Sequence, residues 1–185
     1  MKKGLEYLSA LSIIDPHWSS RVRAIFRSKT ISYGIDSEFT LKSEVNYSRE
    51  VKFIRRFLAT TEPLTGLSFS YSTNTDCKPD LLIRFSLDDS LGIRGSTTLQ
   101  KHRIEVNIEH FTTGYLMGNF KQVAAHELLH ALGLSHPFGS GSYPGADVTD
   151  TLMSYNDFDP RFNRLTDLDR SALSCIWFDN LSCLY

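Results

Sequence analysis

The eleven residues His126-Glu127-Leu128-Leu129-His130-Ala131-Leu132-Gly133-Leu134-Ser135-His136 constrain this chain more than any other stretch. His126 and His130 are four apart, so on a helix both imidazoles leave one face, one turn above the other. That spacing lets both reach a single metal ion at about 2 Å. Glu127 stands about 100° further round the helix, close to such an ion yet out of line with the two histidines. A carboxylate there can take a proton from metal-bound water. Gly133 supplies the left-handed backbone that stops a helix and turns the chain sharply. Without that turn His136 would run on past the metal; with it, His136 swings back as the third ligand. Three neutral imidazoles leave the fourth position of a tetrahedral zinc open for water, which is a catalytic arrangement rather than a closed structural one. Cobalt or manganese could occupy the same donors in vitro.

A surface helix carrying two histidines by chance is the bland alternative. Five fixed positions (two His, Glu, Gly, third His) coincide in about one window in three million if residues are equally frequent. A chain of 185 residues offers too few windows for that. The flanking pattern agrees with a helix: Val123, Ala124, Ala125, Leu128, Leu129 and Leu132 predict its packed side and leave the histidines to a cleft.

Composition bounds the rest. With 185 residues and 41% apolar side chains, the chain is long enough for one domain with a real core. Twenty basic and 21 acidic side chains give a net charge of −1. That balance argues against a nucleic-acid binder that lives off phosphate neutralisation, although it leaves a local patch open. No apolar run approaches the length of a membrane span, so no membrane partner is expected. The three cysteines, Cys77, Cys175 and Cys183, cannot all pair within a monomer. Free or buried thiols are one reading; a bridge from Cys175 to Cys183 closing the C-terminus is the other. Lys2 and Lys3 imitate the start of a signal peptide, but Glu6, Ser9, Ser12 and Asp15 interrupt any apolar stretch after them, so no targeting segment is read.

Residues 1–28 are mixed and are expected to form an N-terminal extension or a short helix, with Leu5, Leu8, Leu11 and Ile14 along one side. Alternation predicts strands over 30–35 and 67–71, and a continuous apolar start predicts a central strand over 81–85. Two more strands are expected over 93–99 and 104–108, joined by a turn at 100–103. A helix is predicted from Ser48 as its cap to a point just before Pro63, from the spacing of Val51, Ile54, Phe57 and Leu58. Asn119 is expected to cap the helix that carries the histidines. Thr166 is expected to cap a last helix over 166–177, with Asp167 and Asp169 at its positive end. Between 134 and 165 the chain is rich in loop residues. His17, His102 and His110 have no partners at ligand spacing and are read as surface or strand-end residues.

The segment through His136 with Pro137 directly after it resembles the metzincin metallopeptidases, specifically their serralysin-like branch. Thr151-Leu152-Met153-Ser154-Tyr155 is similar to that family's Met-turn. The resemblance implies an α+β metzincin-like zincin fold: a twisted, mostly parallel sheet with an antiparallel edge strand, two long helices, and a loop-rich C-terminal subdomain ending in a helix. It implies one catalytic domain over 29–185, with an upper part 29–133 and a lower part 134–185. Met153 would form an apolar floor beneath the ligands. Tyr155 would ligate zinc and then swing toward the transition state. The activity implied is that of a zinc endopeptidase with Glu127 as general base. A zinc-binding protein of the same shape with a binding or regulatory role is the alternative. Substrates would be extended proteins or peptides lying along an edge strand, for which 93–99 is the candidate; Phe138, Tyr143 and Leu152 would line a specificity pocket. A monomer is expected. Some family members are held latent by a ligand from an N-terminal segment, and Asp15 is within reach for that. The resemblance also suggests an extracellular setting and admits calcium, which the residues themselves do not derive. The chain ends at Tyr185 without the calcium-binding Gly/Asp repeats that typical serralysins carry.

Overall fold

A computed structural model describes residues 8–36, 48–72, 78–87, 95–110, 117–157, 159 and 161–178. Its strands are β1 (Thr30–Asp36), β2 (Ser68–Tyr71), β3 (Leu81–Leu87), β4 (Gly95–Leu99) and β5 (Ile104–His110). Its helices are α1 (Pro16–Ile25), α2 (Ser48–Thr65), α3 (Met117–Ala131) and α4 (Asp167–Phe178), with short 3₁₀ turns at Ala10–Ile13 and Pro137–Gly139. The strands form one sheet in the order β2-β1-β3-β5-β4. β1 runs parallel to both β2 and β3, and β3 runs parallel to β5, whereas β4 pairs with β5 antiparallel. The chain is therefore α+β, with a mixed, mostly parallel five-stranded sheet, one antiparallel pair, four helices and a helix at the C-terminal end.

The residues explain this order. Leu81, Leu82 and Ile83 are all buried because β3 is the middle strand and both its faces are covered. In β4 the exposed positions alternate with half-buried ones, as expected of an outer strand with one face on the protein. Asp80 fixes the β1–β3 register: its Oδ2 accepts from the Ser32 amide at 2.8 Å and the Ser32 hydroxyl at 2.6 Å. α3 lies over β5 and β4, α2 packs beside α3, and α4 packs on α2. Phe120, Ala124, Leu128 and Leu132 of the α3 segment join Ile54 and Leu58 of α2 and Ile104, Val106 and Ile108 of β5 in one core.

Three local expectations are corrected. Leu5 lies outside the described residues, and Leu8, Leu11 and Ile14 do not share an α-helix. The first α-helix spans Pro16–Ile25, started by Asp15, whose Oδ1 accepts from the amides of His17 (2.8 Å) and Trp18 (3.2 Å), with Pro16 in the first helical position. An aspartate cap followed by proline is the stronger start signal, and Leu11 is left 44% exposed. Second, α2 does not stop before Pro63; it runs through it to Thr65 and ends at Gly66, whose φ is +65°. Proline is tolerable there because little helix follows it, and the hydroxyls of Thr60 and Thr61 donate to the Phe57 and Leu58 carbonyls beside it. Third, α3 begins at Met117, so Asn119 stands in its first turn and is not its cap.

Thr166 does start α4. Its hydroxyl accepts from the Asp169 amide at 3.1 Å, and Asp169 Oδ2 accepts from the Thr166 amide at 3.0 Å, a reciprocal cap. The Asp169 carboxylate, fully buried, also accepts from the Thr151 hydroxyl at 2.6 Å and the Leu152 amide at 3.3 Å. Burial pushes its pKa up, and these donors pull it back. One side chain thus ties the start of α4 to the 151–155 turn. Asp169→Ala is expected to cost about 2–4 kcal/mol in urea unfolding, since it removes a cap and strands several buried donors. A loss within the scatter of ordinary surface substitutions would contradict that role.

Candidate metal centre

α3 ends as Gly133 requires. With φ at +104°, Gly133 donates its amide to the His130 carbonyl at 3.0 Å, and Leu134 donates to the Leu129 carbonyl at 3.0 Å. These two bonds make a Schellman turn, with the apolar pair Leu129 and Leu134 buried under it. The reversal carries His136 back over the helix, where Pro137 begins a 3₁₀ turn.

The three imidazoles converge. His136 Nε2 lies 3.3 Å from His126 Nε2 and 3.2 Å from His130 Nε2. A tetrahedral ion with ligand bonds of about 2.0–2.1 Å has donor–donor edges of roughly 3.3 Å, so these spacings are those of a metal's edge. Tautomers point the same way. His126 Nδ1 faces the Leu152 carbonyl at 2.6 Å, and His130 Nδ1 faces the Leu134 carbonyl at 2.9 Å. A carbonyl only accepts, so each Nδ1 carries the proton and each Nε2 presents a lone pair. One proton on His136 could satisfy one of its two close contacts; a cation satisfies both. The group could therefore hold a metal ion such as Zn2+.

Electrostatics keep the donors neutral. Burial lowers the pKa of His126 well below the ordinary imidazole range; the neighbouring His130 and His136 lower it further, against the Leu152 carbonyl. Burial, then His136, lowers that of His130 to about 4. Burial also lowers that of His136. Metal ligation needs this neutral form.

Glu127 is 6% exposed on the neighbouring side of the helix. Burial raises its pKa to about 7, opposed by the Thr97 hydroxyl, which lies 2.8 Å from Glu127 Oε2 and 2.8 Å from the Glu127 carbonyl. Gly95 on β4 makes room for it: a Cβ there would sit 2.4 Å from Glu127 Cγ. Tyr155 is 56% exposed, its ring centroid 5.2 Å from that of His126 and 4.7 Å from that of His136. Burial, then the charge of Glu127, raises its pKa. The ring rests on Gly141, where a Cβ would approach it to 2.3 Å, and the Tyr155 amide donates to the Gly141 carbonyl at 2.7 Å. Met153 is fully buried in the core. A cleft of about 240 Å³ opens beside these groups, lined by Asp15, Trp18, Gly95–Thr97, Glu127, His130, Ser135 and Tyr155.

Sequence spacing singled out the three histidines, Glu127 and Gly133, and the family resemblance singled out Tyr155; the structure brings the three histidines together and sets the Tyr155 ring beside two of them. Sequence reading placed Leu152 in a specificity pocket, but Leu152 is 1% exposed in the core, and its contribution to the site is its carbonyl. Phe138 and Tyr143 stack on each other at 4.7 Å. Asp15 caps α1 at the cleft rim and is not in the histidine cluster. His17 and His102 are exposed; the His110 side chain lies outside the described residues. Cys175 is disulfide-bonded, and both Cys77 and Cys183 lie outside the described residues. Spacing missed Gly95, Thr97 and Trp18. A glycine inside a strand pattern is a signal of close approach and could have flagged Gly95. Nothing local marks Trp18, whose indole N–H donates to the His130 carbonyl at 2.9 Å across 112 residues of sequence.

No model of a known protein family matches this chain, and no curated protein matches it. A three-histidine cluster on a mixed five-stranded sheet is consistent with a metzincin-like motif.

Two outcomes follow from the donor set. Cobalt added to the metal-free protein should give one equivalent of a tetrahedral visible spectrum, displaced by zinc. His136→Ala should weaken that binding by orders of magnitude; unchanged affinity would exclude the cluster as the site. In the metal-free protein, His130 titrates at about 4 when folded against 6.5 ordinarily. Between those values the unfolded chain holds more protons, so stability should be fully present above about pH 6.5 and fall toward pH 4. Urea midpoints in excess chelator, compared at neutral and mildly acid pH, check the sign.

Proposed function

We propose that this protein is a zinc endopeptidase of the metzincin type, nearest to the serralysin-like branch. The observation that carries the reading is a buried carboxyl, Glu127, on the same helix as two members of a three-histidine cluster, with Glu127 and His130 both lining a cleft beside an edge strand. His126, His130 and His136 would hold the zinc. When bound there, zinc acidifies water toward neutral pH and polarises a carbonyl.

The remaining chemistry falls to the chain. Glu127 accepts a proton from the attacking water on a carboxylate oriented by the Thr97 hydroxyl, and passes a proton to the departing amine nitrogen. The Tyr155 hydroxyl, on a half-exposed ring beside the histidines, donates to the carbonyl oxygen as it gains charge. β4 ends the sheet next to the cleft, and an extended peptide can add to it through main-chain hydrogen bonds, largely independent of side chains. The Cys175 disulfide suits an oxidising, extracellular setting.

Glu127→Gln decides between this reading and a zinc-dependent binding protein. Zinc content should stay stoichiometric while cleavage of a proteome-derived peptide library, read by mass spectrometry, falls by about three orders of magnitude or more. Tyr155→Phe in the same assay should lower turnover and leave zinc affinity nearly unchanged. A zinc-loaded wild type that cuts no peptide would sink the peptidase and favour the binding role.

A further inference from the structure

On the far side of α3 from the histidines, the outer face of α2, the start of α3 and the 163–165 segment enclose a second cavity of about 640 Å³. It shares no lining residue with the cleft. Six cationic side chains surround it: Arg49, Lys52 and Arg56 from α2, Lys121 from α3, and Arg164 and Arg170 at the entry to α4. Among the described residues, no acidic side chain lines it. None of the six forms an ion pair among the described residues. The nearby carboxylates face elsewhere: Asp169 is taken up by Thr151 and Thr166, and Asp159 by Arg161. The floor is apolar, made by Phe53, Phe57 and Leu165.

We propose that this cavity binds a small organic polyphosphate, an anion of three or more phosphate groups on a compact organic body. Six like charges from separate elements, with no ion pair among the described residues, repel one another and favour a multivalent anion between them. Four of the six are arginines, whose planar forks match phosphate oxygens in pairs. The volume lies within the usual range for a small-molecule site and far exceeds a single phosphate. The aromatic floor takes the organic part, and the cations converge from separate elements on one concave pocket, not along the extended stripe that a nucleic-acid backbone would need. The proposal goes beyond the peptidase reading and does not rest on it.

The full chain is titrated calorimetrically at about 0.15 M salt, where exposed charges are screened, with ATP, inositol hexakisphosphate, inorganic triphosphate and a heparin-derived sulfated oligosaccharide. One equivalent of ATP or inositol hexakisphosphate should bind saturably and more tightly than inorganic triphosphate; which of the two binds tighter identifies the body. Lys52→Glu with Arg56→Glu, both exposed on α2, should weaken binding by about a hundredfold, and Arg164→Gln with Arg170→Gln by about tenfold or more. Lys29→Glu with Lys101→Glu, remote and exposed, should leave it unchanged. Circular dichroism confirms that each variant is folded. No saturable binding, equal loss in the remote pair, preference for the sulfated glycan, parity with inorganic triphosphate, or binding that appears only with zinc present would each overturn the proposal.

Discussion

The site depends on two backbone carbonyls. Leu134 and Leu152 offer the oxygens that hold His130 and His126 by Nδ1, and so aim both Nε2 lone pairs at one point. Neither carbonyl is free to move. Leu134 sits in the Schellman turn after Gly133, and its neighbour Ser135 donates its amide to the Ile13 carbonyl at 2.8 Å. Leu152 sits in a turn whose Thr151 and Leu152 are both gripped by Asp169. The ligands are thus oriented by main-chain atoms that belong to three distant parts of the sequence, and metal geometry is a consequence of tertiary folding. Outer-shell partners of this kind set imidazole tautomer and basicity as much as the ligands themselves do.

The same construction explains why the donors are buried. Desolvation holds all three imidazoles neutral and raises the Glu127 carboxyl, so the ground state carries little charge. A dication entering such a place is opposed by few competing protons. Gly95 and Gly141 matter here for space alone: each lets a side chain beside the histidine cluster, Glu127 or Tyr155, lie flat against backbone. With side chains at those positions, the carboxyl and the phenol would both be displaced from the imidazoles.

Local patterns disclosed whatever local forces determine. The His126–His136 spacing, the Gly133 stop, the Thr166 cap and the period-two strands are statements about a few consecutive residues, and they hold in the structure. The turn at 100–103 was legible for the same reason, and a connection that short joins its strands antiparallel, as β4 and β5 are. Where two local signals competed, the weaker was mistaken for the stronger: a leucine stripe against the Asp15-Pro16 start, or Pro63 against the helix packing that carries α2 past it. Long-range partners were invisible. Thr97 meets Glu127 across 30 residues, Trp18 meets His130 across 112, and no spacing rule encodes either. The disposition of the two chain-end segments around the histidines is likewise a product of packing, not of propensity.

Charge shows the limit of composition most clearly. A balance of 20 against 21 argues that no strong field surrounds the molecule, and that remains sound at distances beyond the screening length of about 8–10 Å. Within that length only arrangement counts. Among the described residues, Asp15, Asp80, Asp159 and Asp169 are taken up in pairs and caps, while six bases gather around one cavity. Such segregation is costly for the isolated fold, since spreading the same residues evenly would lower the repulsion without touching the core. α3 links the two regions, with Lys121 at one cavity and Glu127 and His130 at the other, and its buried side packs it into the core between them. An anion that neutralises the first cavity would therefore stabilise the helix from which the second is built.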